Sequence, residues 1–91
     1  MKMRARVTVR GIVQGVNYRY HTMEKALQYN VMGWVRNLDN GDVEGCFEGE
    51  EVDVLALVDW CRIGPPRARV DEVVVESEPA RGEFAEFRIR H

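Results

Sequence analysis

Hydrophobic and polar positions alternate strictly from Arg4 to Arg10, with Ala5, Val7 and Val9 set against Arg4, Arg6, Thr8 and Arg10. A period of two belongs to a strand buried on one face, so this segment predicts a first strand whose arginines look into solvent. From about Tyr18 to Tyr29 the period changes. Tyr20, Met23, Ala26 and Leu27 fall at helical spacing, and Asn30 fits the left-handed residue that closes such a helix. Val31 to Arg36 predicts a second strand, and Asp42 to Glu48 a third; Leu38-Asp39-Asn40-Gly41 between them supplies the turn of a hairpin. Residues 51–63 put Val52, Leu55, Val58 and Cys61 on one helical stripe, with Asp53 and Asp59 outside it. Gly64-Pro65-Pro66 stops that helix, since neither proline can donate to its ladder. Val70 to Ser77 predicts a fourth strand and Pro79 to Gly82 a turn. Phe84 to Arg90 then alternates again, with Ala85, Phe87 and Ile89 inward.

The order βαββαβ plus a short C-terminal strand predicts an α+β fold, the ferredoxin-like split βαβ sandwich. Right-handed crossovers put two helices on one face of a mixed, mainly antiparallel sheet. Where the last strand pairs is left open by the sequence. Ninety-one residues make a single domain, 1–91.

Composition narrows the function classes. A net charge of −2 speaks against broad polyanion binding, so no nucleic acid partner is expected. No apolar run approaches the ~20 residues that span a bilayer, and no membrane partner is expected. Met1-Lys2-Met3-Arg4-Ala5-Arg6 lacks the apolar stretch of a secretory signal, which makes a cytoplasmic location the default, with a monomer expected. Cys46 and Cys61 lie fifteen positions apart without metal-ligand spacing; they read as buried reduced thiols, with no metal site.

The chemistry concentrates at Gly11-Ile12-Val13-Gln14-Gly15-Val16-Asn17-Tyr18-Arg19, a glycine-bounded turn between a strand pattern and a helix pattern. Such a junction aims free backbone N–H groups at one spot, where the helix dipole is also positive. Arg19 adds a permanent charge and a planar fork of donors that fits a phosphoryl group. Asn37, ending the second strand, can bring an amide toward the same edge, where it can hold a water and a substrate oxygen together. Structural readings stand beside these. Asn37 suits a turn for backbone reasons, Asn17 can be a helix N-cap, and Arg19 can make a surface ion pair.

Taken together, the residues are similar to a known pattern. Gly11 through Arg19 resembles the first signature of the acylphosphatase family, G-x-V-Q-G-V-x-F-R. Gly33-Trp34-Val35-Arg36-Asn37, with Gly41, Val43 and Gly49, resembles its second, and Gly64-Pro65-Pro66 with Ala68-Arg69-Val70 continues the match. One departure is Tyr18, where the family usually has phenylalanine; a buried hydroxyl there must find a partner. The resemblance implies an enzyme that hydrolyses acyl phosphates to a carboxylate and inorganic phosphate, without metal or cofactor. It implies that Arg19 binds the phosphoryl group and Asn37 positions the attacking water. The backbone N–H groups of Gly15, Val16, Asn17, Tyr18 and Arg19 would form the phosphate cradle. The partners it implies are a small-molecule acyl phosphate, and inorganic phosphate as product and inhibitor. Whether His91 reaches the site stays open. Two rivals follow from the same fold: a non-catalytic anion-binding module, and a single-stranded RNA binder. The latter needs exposed aromatics on the central strands, where the third strand offers only Phe47.

Overall fold

The computed structural model describes residues 1–91. The elements run β1 (Lys2–Ile12), α1 (Tyr18–Gln28), β2 (Met32–Asn37), β3 (Val43–Glu50), α2 (Glu51–Ile63), β4 (Arg69–Pro79) and β5 (Phe87–Arg90). One five-stranded sheet has the order β4-β1-β3-β2-β5. The β1–β3, β1–β4 and β2–β3 pairs are antiparallel, and β5 joins the β2 edge in parallel, with Val35 opposite Ile89 and Arg36 opposite Arg90. Two helices on one face of such a sheet are the ferredoxin-like α+β arrangement. Neither helix is long and apolar enough to cross a membrane.

The strict alternation in β1 sends Ala5, Val7 and Val9 into the core, where they meet Val35, Val43 and Phe47 of the neighbouring strands. Phe47 is therefore sealed under the helices and is no nucleic-acid stacking platform. Asn30 lies in the left-handed region at φ 58°, immediately after the end of α1, as its place in the sequence suggested.

Each helix buries only part of the stripe read off the sequence: Ala26 and Met23 pack as expected in α1, and Val58 and Cys61 in α2. In α1 the buried residues are Tyr18, Thr22 and Ala26, while Tyr20 and Leu27 are exposed. In α2 they are Val54, Leu57, Val58 and Cys61, and Val52 and Leu55 face water. The reason is geometric. With 3.6 residues per turn, a strict three-residue series drifts by about 60° per step, so Val52 ends opposite Cys61. Alternating steps of three and four hold one face.

The outer face of the sheet is less open than the arginine alternation suggested. Arg4 is buried. The connector from β4 to β5 must travel from one sheet edge to the other, roughly 19 Å at four strand spacings. It does so across this outer face. Arg4 Nε donates to Glu48 at 2.9 Å, and the Arg81 and Gly82 N–H groups donate to the same carboxylate at 2.9 and 2.8 Å. Arg4 Nη2 also reaches Glu83 at 2.9 Å, and its guanidinium lies over the Phe84 ring. Burial would raise the Glu48 carboxyl, but those two N–H donors and Arg4 outweigh it and hold it below the usual carboxylate range. Residues Phe84 to Glu86 belong to this connector, so Ala85 is exposed instead of inward; only Phe87 and Ile89 of the last alternating run pack toward the helices.

Both thiols are buried as expected, Cys46 on the outer side of β3 and Cys61 beneath α2.

Candidate active site

The segment joining β1 to α1 owes its shape to two left-handed residues. Gly15 sits at φ 76°, open to a residue without Cβ, and Asn17 at φ 61°, a region asparagine tolerates better than most. Asn17 is the residue before α1, yet its side chain makes no capping bond. The first helical hydrogen bond runs from the His21 N–H to the Asn17 carbonyl at 3.1 Å. The N–H groups of Gly15, Val16, Asn17, Tyr18, Arg19 and Tyr20 therefore donate to nothing within the chain. These are the free donors of a helix start, gathered on one turn.

Gln14 ties this turn to the β2–β3 hairpin. Its Nε2 donates to the carbonyls of Leu38 at 2.7 Å and Asp42 at 2.9 Å, across the loop that follows Asn37. That bridge draws the end of β2 against the start of α1. Between them opens a cleft of about 200 Å³. Gln14, Gly15 and Asn17 of the loop, Tyr18, Arg19 and Tyr20 of α1, and Asn37 of β2 line it, with Ile89 and His91 on the β5 side.

Arg19 Nη1 donates to the Arg90 carbonyl at 3.0 Å and lies 3.3 Å from His91 Nδ1. A guanidinium has five N–H groups. Those on Nε and Nη2 share the other edge and carry no bond, which leaves one planar fork free for an anion. Asn37 Oδ1 is enclosed and has no hydrogen-bond partner. A buried acceptor without a donor costs free energy on the order of 1–3 kcal/mol, so Asn37 Oδ1 is open to a donor from outside the chain, a water or a ligand.

The sequence-derived site residues are thus found as follows. Gly15, Asn17, Tyr18, Arg19 and Asn37 border one cleft, whereas the Val16 side chain packs against the core and only its N–H is available. Gln14 and Ile89 were not singled out for the site, and the open question of His91 is answered by its place on the cleft wall. Gln14 was legible as part of the glycine-bounded turn, but its partners are backbone carbonyls, which no side-chain pattern announces. Ile89 and His91 depend on the pairing of β5.

The hydroxyl of Tyr18 finds its partner inside the protein. It donates to the Cys61 carbonyl at 2.6 Å. That carbonyl would normally accept from residue 65, but Pro65 has no N–H, so the tyrosine supplies the donor that the helix end lacks. Burial first, then the Cys61 contact, pushes the Tyr18 hydroxyl above its usual range, and burial pushes the Cys61 thiol up to about 12. Both stay protonated near neutrality, and neither is a nucleophile. Tyr18→Phe is expected to leave the Cys61 carbonyl buried without a donor and lower stability by about 1–3 kcal/mol, read from urea unfolding. No Asp or Glu side chain lines the cleft, and Arg19 brings a guanidinium into it.

Comparison with known proteins follows the same outline. The Acylphosphatase family model matches residues 5–89. A protein of Geobacter metallireducens named "Acylphosphatase" is 60% identical over 91 residues, covering 100% of this chain and 98% of that one. The crystal structure of acylphosphatase from Bacillus subtilis superposes with a TM-score of 0.94 at 31% identity, covering 98% of this chain and 99% of its own. An acylphosphatase structure from Coxiella burnetii gives 0.92 at 38% identity, covering 98% and 93%.

Proposed function

The chain belongs to the acylphosphatase family, and we propose that the cleft between the β1–α1 turn, Asn37 and β5 is where it hydrolyses acyl phosphates. The protein is a hydrolase of that class. Its substrate is a small-molecule acyl phosphate, R–C(=O)–O–PO₃²⁻. Water attacks phosphorus in line, the bond from phosphorus to the acyl oxygen breaks, and a carboxylate leaves with the bonding electrons. Inorganic phosphate is the other product.

The leaving carboxylate has a conjugate acid of pKa about 4, so it departs without a strong general acid. What the reaction needs is a held dianion and a placed water. The unspent N–H groups of Gly15 through Arg19 surround the phosphoryl oxygens, and the free Nε/Nη2 edge of Arg19 takes two of them. This arrangement acts before and during charge redistribution without reorganising. The Asn37 amide oxygen accepts a hydrogen bond from the attacking water and its N–H group donates to a phosphoryl oxygen, while another phosphoryl oxygen takes up the proton that the water loses. The Asn37 amide cannot itself act as a base at neutral pH.

The observation that carries this reading is the unpartnered, enclosed Oδ1 of Asn37 in the same cleft as a row of unspent amides and a half-free guanidinium. Hydrolysis of benzoyl phosphate tests it. Turnover should persist in excess chelator, with inorganic phosphate inhibiting competitively. Tight phosphate binding with no turnover would instead assign the cleft to an anion-binding module, and a strict metal requirement would defeat the scheme. We further propose that residues 1–91 form one acylphosphatase-like domain acting as a monomer in the cytoplasm. The cleft is lined wholly by residues of one chain, which supports a single chain as the working unit.

A further inference from the structure

We propose that His91 is a positioning residue for Arg19: its neutral imidazole accepts from Nη1 and fixes the guanidinium with its Nε/Nη2 edge free for the phosphoryl group. The inference rests on the reading that Arg19 binds that group. Three observations carry it. Arg19 Nη1 lies 3.3 Å from His91 Nδ1 while donating to the Arg90 carbonyl at 3.0 Å, so both its hydrogens have acceptors on one stretch of chain. The parallel register of β2 and β5 ends with Arg36 opposite Arg90, so His91 and Asn37 each follow the last paired residue of their strands. His91, Arg19 and Asn37 all border the same cleft.

A free arginine side chain has many rotamers, and ordering it on substrate binding costs entropy. Two acceptors on one nitrogen settle that question in advance. They also decide which edge of the fork remains available, because a guanidinium whose Nη1 is committed presents Nε and Nη2 together.

The arrangement depends on protonation. Imidazole Nδ1 accepts only when unprotonated, and imidazolium would set a like charge against Arg19. Sharing the cleft with His91 are Arg19, Tyr18 and Tyr20 of α1, Asn37 of β2 and Gln14 of the loop, and Arg90 precedes it on its own strand. None of these is an Asp or Glu side chain, and the Tyr18 hydroxyl is already spent on Cys61. The hydrogen bond to Nη1 therefore requires the unprotonated ring, and substrate affinity is expected to be higher with it than without it.

Benzoyl phosphate kinetics at several pH values between 5 and 8 test this in wild type, His91→Ala, His91→Asn and Arg19→Ala. His91→Ala should raise KM roughly 3- to 10-fold at pH 8, the effect of one lost hydrogen bond, with a much smaller change in kcat. His91→Asn should recover most of that loss, because its amide oxygen occupies the place of Nδ1, and should lack the part of the acid rise in KM that wild type alone displays. Ionisation of the substrate is common to all four proteins and cancels in the comparison. A His91→Ala enzyme with wild-type KM and wild-type pH dependence would overturn the proposal, as would an Asn variant no better than the Ala one. If Arg19→Ala keeps wild-type kinetics, the reading of the cleft itself fails. If Arg19→Ala is impaired while His91→Ala is not, only the role of His91 is lost.

Discussion

Arg19→Ala is expected to lower kcat/KM for an acyl phosphate by a factor of about 10²–10³, the usual consequence of removing one donor aimed at developing charge. Loss should be visible in both parameters. The guanidinium fork touches the phosphoryl group in the ground state, which weakens binding when it is gone, and it holds the equatorial oxygens during transfer, which slows turnover. Lysine should be a poor substitute, since an ammonium cannot present two parallel donors to two oxygens. The fold should be undisturbed, because Arg19 is held only by the Arg90 carbonyl and His91 and makes no ion pair. Steady-state kinetics beside an unfolding curve separate these effects, and a fully active Arg19→Ala enzyme would refute the assignment.

Asn37→Ala is expected to behave differently. The amide does not neutralise phosphate charge; it places the nucleophile. Its loss should reduce kcat by a factor on the order of 10² with KM nearly unchanged, the pattern of an interaction made with the attacking water in place of the bound phosphoryl group. Stability should hold or rise slightly, because the substitution deletes the enclosed Oδ1 that has no partner in the folded chain. A rise in KM with kcat intact would assign Asn37 to substrate binding.

Much of this was legible before any coordinates. The alternation in β1, the change of period at Tyr18 and the proline stop after α2 are local signals, and local signals report element type and order. Arg19 and Asn37 were singled out by the resemblance to the two family signatures; from the residues alone each also had a structural reading, and topology placed them only at the ends of elements near one edge. What escaped depended on tertiary choices. The stripes of α1 and α2 were only partly right because each helix carries apolar residues beyond its buried face, and in α2 a strict three-residue series led round the helix from Cys61 to the exposed Val52. Burial of Arg4 could not be seen in β1 itself, since it comes from a connector some eighty residues later that crosses to reach β5. The same holds for His91: its proximity to Arg19 exists only once β5 has paired parallel with β2. Tyr18, by contrast, raised a definite question, a hydroxyl in need of a partner, and the carbonyl that Pro65 leaves unserved answers it.

Dependence on one arrangement runs through all of these expectations: unengaged main-chain N–H groups wrapping a tetrahedral anion. Following backbone amide resonances by NMR while titrating inorganic phosphate tests it most directly. Saturable shifts centred on Gly15, Val16, Asn17, Tyr18 and Arg19, accompanied by the Asn37 side-chain amide, are the predicted result. Phosphate binding that leaves those resonances in place and moves others, such as the arginine-rich surface around Trp34 on the opposite side of the sheet, would contradict the account.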